Sequence, residues 1–402
     1  MKVGILREGK TPPDKRVPLT PQQCVEVQKA FPHVSIVVQP SPVRSYKDEE
    51  YGALGIPLQE DLSDCAILLG VKEVRIEDFL PGKIYLFFSH TIKKQEYNRK
   101  LLQTVLEKNI QLVDYEVLTD KEGFRIIGFG RFAGLVGAYN GFRAFGLKHN
   151  LFNLKPAHEC EDLEEMLQHL DKIELPPIKI AITGDGRVAQ GVLEILNHMK
   201  IMRVSPEAYL KVQEPKQAVY VQLLPGNYVQ RTDGESFDLM HFFNNPTMYE
   251  NSFHPFAEAT DMLIASAYWD PKSPVLFTAE EMKDEKFRIG VISDITCDIE
   301  GSIPSTKRAA TIADPFYDYN PQSGDLEEAF SSRNNVSVQA VDNLPCELPK
   351  DASLDFGRNL IEKVFPSLFG QDTDEIIARA SITKDGALTE KFSYLQDFAD
   401  GE

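Results

Sequence analysis

The sequence predicts an α/β protein with mostly parallel sheets, arranged as two domains. Short apolar runs alternate with helical stretches, which is the pattern of βαβ units. This alternation begins at the first residues and starts a second time after Pro176-Pro177. A chain of 402 residues, of which 42% are hydrophobic, can bury a large core and is expected to form more than one domain.

The first βα series is bounded by clear turn and cap residues. Thr20-Pro21-Gln22-Gln23 combines an N-cap threonine, a first-turn proline and a capping-box glutamine, and therefore predicts a helix start. Small residues over 132–147 predict a tightly packed helix that connects the domains. The strand-like runs of this series are residues 1–6, 34–38, 65–71, 84–88 and 110–113, with a helix over 95–108.

The second series begins at residue 178 and carries the same alternation. Its strand-like runs are residues 178–183, 201–204, 219–224, 262–267 and 288–293, with a helix over 188–198. Residues after about 335 are expected to pack back on the first domain. We therefore predict a discontinuous substrate-binding domain, residues 1–140 plus 335–402, and a dinucleotide-binding domain, residues 141–334.

The charge and the cysteines exclude several classes of protein. Forty-three basic against sixty-one acidic residues give a formal net charge of -18, which argues against nucleic acid or an anionic membrane as partner. The five cysteines are odd in number and lack metal-site spacing, so we expect reduced thiols and no metal. No signal peptide and no membrane-length apolar stretch occur in the sequence, which favours a cytoplasmic location.

Two ionisable side chains follow neighbouring strand-like runs. Lys72 lies just after the run that ends near Val71, and His90 follows Phe87-Phe88-Ser89. In open α/β sheets, ligands bind beyond the carboxyl ends of the strands. Either residue alone is more often structural or solvated. As a pair delivered to one cleft, they predict proton transfer and hence an enzyme.

Four further residues of the first domain are candidates for substrate contacts. Arg16 and Arg125 lie near other strand ends, and guanidinium groups are the preferred partners of carboxylates. Lone arginines are usually solvated, so each alone is a weak signal. Glu73 and Glu116 lie near Lys72 and His90. A carboxylate there would raise the pKa values of the lysine and the histidine, whereas burial would lower them.

A glycine turn opens the helix of the second domain. The turn residues predicted to bind a cofactor are Gly184, Asp185, Gly186, Arg187 and Val188, because a turn between strand and helix can bring backbone N–H groups against a pyrophosphate. An ordinary tight turn is the alternative interpretation.

Two other stretches bear on the cofactor. The acid that usually binds ribose about twenty residues further on is missing, and the next strand instead ends in Arg203 with Ser205, which favours NADP over NAD. Arg203 would equally suit a solvated surface. Asp298 or Asp294 follows another buried run and would either touch the nicotinamide ribose or cap a helix.

Taken together, these segments resemble the lysine–2-oxoglutarate reductases and lysine-forming saccharopine dehydrogenases, in the wider alanine dehydrogenase-like superfamily. The resemblance spans most of the chain. The matching segments, in order, are residues 16–21, 70–73, 87–91, 114–116, 129–134, 183–186, 268–270 and 294–303.

The resemblance implies two Rossmann-like domains around a central cleft, and an NADP- or NAD-dependent dehydrogenase. It implies that Lys72 and His90 form the acid–base pair, that Arg16 and Arg125 bind carboxylates, and that Glu73 and Glu116 support them. Asp298 would lie beside the nicotinamide.

The implied reaction interconverts saccharopine with L-lysine and 2-oxoglutarate, through an imine and hydride transfer. A smaller oxo acid, as in alanine dehydrogenases, is one alternative, and a non-catalytic nucleotide-binding regulator is another. The expected partners are the small-molecule substrates, an amino acid and a 2-oxo acid. Assembly into a homo-oligomer is left open.

Overall fold

The computed structural model describes residues 1–9, 11 and 13–401. The chain divides into two compact units: unit 1 comprises Met1–Phe129 with Pro349–Glu402, and unit 2 comprises Gly130–Leu348. Each unit contains one large, mostly parallel sheet, which confirms the predicted α/β class. Among the described residues, no helix combines the length and the apolar character needed to cross a membrane.

The first segment of unit 1 alternates strands and helices. The capping box at its first helix is present, since Thr20 Oγ1 accepts from the Gln23 backbone at 3.2 Å and the Gln23 side chain accepts from the Thr20 backbone at 3.0 Å. The elements are β1 (Lys2–Ile5), α1 (Pro21–Ala30), β2 (Ser35–Val38), α2 (Asp48–Ala53), β3 (Ile67–Leu69), β4 (Ile84–Phe87), α3 (Glu96–Glu107) and β5 (Gln111–Asp114).

Unit 2 begins with a long helix and continues with the second series. Its helices are α4 (Gly130–His149), α5 (Leu163–Leu170), α6 (Arg187–His198), α7 (Pro206–Lys211), α8 (Pro225–Tyr228), α9 (Leu239–Asn244) and α10 (His254–Ala259). Its strands are β6 (Lys179–Thr183), β7 (Met202–Arg203), β8 (Val219–Leu223), β9 (Val229–Arg231), β10 (Tyr249–Asn251), β11 (Met262–Ala265), β12 (Val291–Asp294), β13 (Phe316–Tyr319), β14 (Leu326–Glu327) and β15 (Val336–Gln339).

The last segment of the chain completes unit 1. Its elements are α11 (Pro349–Asn359), a π-helical turn (Leu360–Val364), α12 (Phe365–Phe369), α13 (Ile376–Ala380), β16 (Ser381–Lys384), β17 (Ala387–Leu388) and α14 (Gln396–Asp400). In the sheet of unit 1, the strand order is β17-β16-β5-β4-β3-β1-β2. Strands β1 to β5 are parallel, whereas β16 pairs with β5 in the antiparallel direction.

The sheet of unit 2 has eight strands in the order β14-β13-β15-β12-β11-β6-β8-β7. The six strands from β15 to β7 are parallel, and β13 and β14 add an antiparallel edge. The separate hairpin of β9 and β10 was not predicted.

The predicted domain boundaries at residues 140 and 335 differ from the limits of these units. Residue 140 lies inside α4, whose twenty residues all belong to unit 2. Residue 335 immediately precedes β15, which pairs with β12 inside the sheet of unit 2. The first boundary instead falls where α4 begins, at Gly130, and the second falls where α11 begins, at Pro349.

Backbone contact between α4 and α6 depends on two glycines. A Cβ atom added at Gly134 would lie 1.9 Å from the Val188 carbonyl oxygen, and one added at Gly191 would lie 2.0 Å from that of Arg131. Neither distance is compatible with a side chain. The small residues predicted to pack tightly in this helix therefore set how closely the two helices approach.

We expect Gly134→Ala to lower the free energy of unfolding by about 1–3 kcal/mol or more, because the added methyl group forces the two helix backbones apart. Gly290→Ala is the matched control in the same unit, since its Cβ would meet only a lysine methylene at 3.6 Å. Urea unfolding followed by circular dichroism measures both variants. Equal stability of the two would contradict the packing argument.

Candidate active site

Titratable side chains follow four adjacent parallel strands of unit 1. Glu8 follows β1, Lys72 and Glu73 follow β3, His90 follows β4, and Glu116 follows β5. Since β1, β3, β4 and β5 are neighbours in the sheet, their carboxyl ends share one edge. The structure thus places Lys72 and His90 at the ends of neighbouring strands, as the sequence predicted.

His90 is held in an unusual conformation against a carboxylate. Its φ angle is 56°, in the left-handed region that residues other than glycine seldom adopt. The Nδ1 atom lies 2.5 Å from Oε1 of Glu73, and both side chains are mostly buried. The carboxylate therefore fixes the orientation of the ring and leaves Nε2 as the nitrogen that faces away from this bond.

Buried Asp114 links the ends of β4 and β5 beneath this histidine. Its Oδ2 accepts from the Ser89 backbone N–H at 3.1 Å and from the Ser89 hydroxyl, and its Oδ1 accepts from the Glu116 backbone at 2.7 Å. Burial raises the pKa of Asp114, whereas these donors lower it. One side chain thus orders the backbone next to both His90 and Glu116.

Glu8 orders the backbone at Lys72, as Asp114 does next to His90. Its two carboxylate oxygens accept from the backbone N–H groups of Val71, at 2.7 Å, and Lys72, at 2.8 Å. Burial, with the charge of Asp14 adding to it, raises the pKa of Glu8 to about 8. Sequence analysis overlooked Glu8, although an acid directly after the first strand obeys the same rule that singled out Lys72.

Arg16 holds an internal carboxylate. Its Nε and Nη2 bond to the two oxygens of Asp14 at 3.0 and 2.6 Å, and both side chains are about 2% exposed. Burial raises the pKa of Asp14, but the positive charge and hydrogen bonds of Arg16 lower it by more, and the charge of Lys72 lowers it further. The pKa of Asp14 therefore lies below its usual range. Two of the five donors of this guanidinium are therefore directed at Asp14 rather than outward.

Both arginines predicted to bind carboxylates lie on aromatic rings. The Arg16 guanidinium carbon is 4.1 Å from the centroid of Phe129, and that of Arg125 is 5.3 Å from the centroid of Phe88. Phe356, from the last segment of the chain, stacks on Phe129 with centroids 4.5 Å apart and also contacts Phe88. The aromatic cluster holds both guanidinium groups in place.

Arg125 retains hydrogen-bonding capacity. Its Nε is buried without a hydrogen-bond partner in the part of the chain that the structure describes. Burial lowers the pKa of this guanidinium, while the charges of Glu116 and Asp114 oppose the effect. Glu116 lies 3.4 Å from the Lys93 ammonium through Oε1, and its Oε2 also has no hydrogen-bond partner within the described residues. Buried unpaired donors and acceptors are costly, which is typical of a site that awaits a polar ligand.

The glycine turn of unit 2 has the shape that a pyrophosphate requires. Gly184 has a φ of 89°, and a Cβ there would lie 3.0 Å from the Ala267 backbone. A Cβ at Gly186 would meet nothing within 4 Å, so space is open beside the turn. The N-cap of α6, Gly186, makes no side-chain cap hydrogen bond within the described residues, and the N-terminus of a helix attracts anions. These residues fit a dinucleotide.

The sheet order bears on the assignment of Arg203 and Ser205 to the cofactor, which stays a prediction. Strand β7, which ends at Arg203, is not the neighbour of β6 but the edge strand beyond β8. The Ser205 hydroxyl accepts from the Ala208 backbone at 3.2 Å and caps α7. The strand that follows β6 in the chain, β7, is thus not its neighbour in the sheet.

The loop after β12 is held by Asp294. Its Oδ2 accepts from the Thr306 hydroxyl at 2.6 Å and its Oδ1 from that of Thr296 at 2.7 Å. Burial raises the pKa of Asp294, and these hydroxyl groups lower it. Asp298 lies exposed further along the same loop, beyond the carboxyl end of β12. Of the two candidates, Asp294 organises the loop and Asp298 is the one presented to solvent.

A cluster of metal-type ligands lies elsewhere in unit 2. Donor atoms of Cys160, Glu165 and His169 lie within 4.8 Å of one another, a grouping that the sequence analysis did not anticipate. The Lys155 ammonium bonds to Glu165 at 2.6 Å. This cation already neutralises the carboxylate of the cluster.

Comparison with known proteins shows what the sequence is similar to. Residues 4–136 match the family model described as alanine dehydrogenase/PNT, N-terminal domain. The chain is 29% identical to the mitochondrial alpha-aminoadipic semialdehyde synthase of Mus musculus over 442 residues, which cover 98% of this chain and 47% of the mouse protein. The chain is thus similar to the mouse protein over nearly its whole length. This confirms the resemblance inferred from the motifs.

Two further similarities agree. A saccharopine dehydrogenase of Emericella nidulans, named as NAD(+)-dependent and L-lysine-forming, is 26% identical, with 90% of each chain covered. The solved structure of an L-alanine dehydrogenase covers 100% of this chain with a TM-score of 0.65 at 15% identity, which shows a shared fold. The chain spans about half the length of the semialdehyde synthases it matches.

The carboxyl group of Glu8 should make stability depend on pH. Its pKa is raised from 4.5 to about 8 in the folded protein, so the folded state binds more protons than the unfolded state between these values, and stability falls as pH rises through them. Glu8→Gln removes this titration. As pH rises, we expect the free energy of unfolding of the variant to increase relative to that of the parent, by at most about 1.4 kcal/mol per pH unit.

Urea unfolding of both proteins from pH 5 to pH 8.5 measures the shift. Exposed Glu107→Gln is the control, and its difference from the parent should not vary with pH. A difference that stays constant for Glu8→Gln would contradict the raised pKa.

Proposed function

We propose that the protein is a nicotinamide-dependent dehydrogenase that interconverts saccharopine with L-lysine and 2-oxoglutarate. The observation that carries the proposal is the pairing of His90 with Glu73 beside Lys72, at the ends of two neighbouring parallel strands. Homology to the semialdehyde synthases and saccharopine dehydrogenases supports the choice of substrates.

Reductive formation of saccharopine needs at least two proton transfers. The ε-amine of the substrate lysine must be neutral to attack the keto carbon, and the keto oxygen must leave as water. In this proposal Lys72 and His90 accept and return these protons. Glu73 keeps the His90 ring in one orientation, and Glu8 fixes the backbone from which Lys72 extends. Both proton carriers are thereby positioned before substrate arrives.

The carboxylates of the substrates need cationic partners. Arg125 has a buried Nε without a hydrogen-bond partner in the described residues, and its guanidinium is held over Phe88. A carboxylate of the oxo acid would satisfy this donor. Arg16, which is bonded to Asp14, is the second predicted carboxylate binder.

Unit 2 would hold the cofactor. When bound, a reduced nicotinamide supplies the hydride that reduces the imine. Gly184 and Gly186, with the N-terminus of α6, would receive the pyrophosphate, and Asp298 would lie beside the nicotinamide. The sequence-based preference for NADP loses its support with the position of Arg203, so the proposal names the dinucleotide without a preference. The cytoplasmic location stays a prediction, since the mouse relative is named a mitochondrial enzyme.

We expect oxidation of NADH or NADPH when lysine and 2-oxoglutarate are supplied together. The fall in absorbance of the reduced nicotinamide measures this oxidation. Lys72→Met and His90→Gln should each lower turnover by about 10²–10⁴, the usual worth of a positioned acid or base. Circular dichroism checks that both variants keep the fold.

The same assay with pyruvate and ammonia is the control for substrate choice. Faster oxidation with pyruvate would replace the saccharopine reaction by that of a smaller oxo acid. No oxidation with either pair would favour a nucleotide-binding regulator, and near-normal turnover in both variants would remove the proton-transfer assignment.

Arg125→Ala should raise the KM for 2-oxoglutarate about tenfold or more, because a carboxylate loses charge-assisted hydrogen bonds worth about 1.5–3 kcal/mol. Turnover at saturating oxo acid should change less than KM. Lys121→Ala, an exposed cation in the same loop, is the matched control and should leave KM unchanged. An unchanged KM in Arg125→Ala would assign carboxylate binding to other residues.

A further inference from the structure

The strand order of unit 2 separates two features that usually coincide. Strand β6, which leads into the glycine turn, pairs with β8 along its whole length, from Lys179 opposite Val219 to Thr183 opposite Leu223. Strand β7 precedes β8 in the chain but pairs with its far side. The strand next in sequence and the strand next in space are therefore different.

This order puts Arg203 far from the glycine turn. Arg203 is level with Tyr220 of β8, whereas Thr183, just before the turn, is level with Leu223. Three residues along a strand and two strands across each amount to about 10 Å, so the two backbones are roughly 14 Å apart. The Arg203 backbone also stops short of the carboxyl edge at which dinucleotides bind.

The end of β8, by contrast, adjoins the turn directly. The Gln222 side chain donates to the Gly184 carbonyl at 2.9 Å. Burial raises the pKa of Tyr228 in α8, and the charge of Asp185 adds to the effect. The chain leaving β8 thus borders the glycine turn on the side away from β11.

One side chain in this segment has the right groups for a ribose. The Asn227 Oδ1 accepts from the Leu224 backbone at 2.8 Å, which fixes the amide through its oxygen and leaves the NH₂ group as its donor. Asn227 is partly exposed. An amide donor held this way can meet a ribose hydroxyl or a phosphate oxygen.

We propose that the 2′ position of the adenosine ribose is recognised at the turn Leu224–Asn227, with the Asn227 amide as donor, and that Arg203 and Ser205 take no part. This rests on the proposed function, in which unit 2 binds a nicotinamide dinucleotide. A dinucleotide whose pyrophosphate lies on the N-terminus of α6 places its adenosine over the end of the neighbouring strand, and that strand is β8.

Charge substitutions at the two positions test the assignment without relying on turnover. Asn227→Asp keeps the oxygen that accepts from Leu224 and adds one negative charge, and Asn227→Arg adds a positive one. Arg203→Glu is the matched control at the rejected position. Calorimetric titration of NADH and NADPH into the full chain and each variant gives the ratio of the two Kd values at one ionic strength.

We expect Asn227→Asp to weaken NADPH relative to NADH at least tenfold, and Asn227→Arg to shift the ratio the other way, because only NADPH carries a 2′-phosphate. Arg203→Glu should change the ratio less than twofold. A shift in Arg203→Glu as large as that in Asn227→Asp, or unchanged ratios in both Asn227 variants, would overturn the assignment. Failure of the parent protein to bind either cofactor would instead remove the proposed function.

Discussion

The parallel alignment of β1, β3, β4 and β5 is the constraint on which the candidate site depends. Parallel neighbours bring their carboxyl ends to one edge, so residues far apart in the chain come to lie along the same edge of the sheet. Lys72 and His90 follow neighbouring strand ends because β3 pairs with β4, and Glu8 reaches the backbone of Lys72 because β1 pairs with β3. A shift in register would separate all of them.

Buried charge at this edge is balanced by pairs rather than by solvent. Asp14 is neutralised by Arg16, and Glu73 contacts His90. Asp114 has hydroxyl and amide donors instead of a cation, and burial raises its pKa accordingly. Arg125, on its aromatic ring, keeps a donor that has no hydrogen-bond partner within the described residues. The site is therefore rigid where it must hold its own residues and unsatisfied where a substrate would bind.

Much of this could be predicted from local sequence, and the exceptions share one cause. Lys72 and His90 were found because a strand end is visible in a single run of residues, and the capping box at Thr20 needs only four positions. Glu8 could have been found by the same rule, because it is an acidic residue that closely follows the first strand. The bridge from Asp114 to Ser89, and the pairing of β8 with β6, involve residues brought together by the order of strands in space. That order is set by packing of the whole sheet, and hydrophobic periodicity carries no record of it.

The last strands of unit 1 also bear on how the chain folds during synthesis. Strand β16 covers the edge of β5, and Phe356 completes the aromatic cluster beside Phe88, yet both follow the entire length of unit 2 in the chain. A ribosome therefore releases every residue of unit 2 before the sheet of unit 1 can be completed. During that interval β5 has an open hydrogen-bonding edge, the kind of surface that chaperones shield and that pairs with other chains when it is left uncovered.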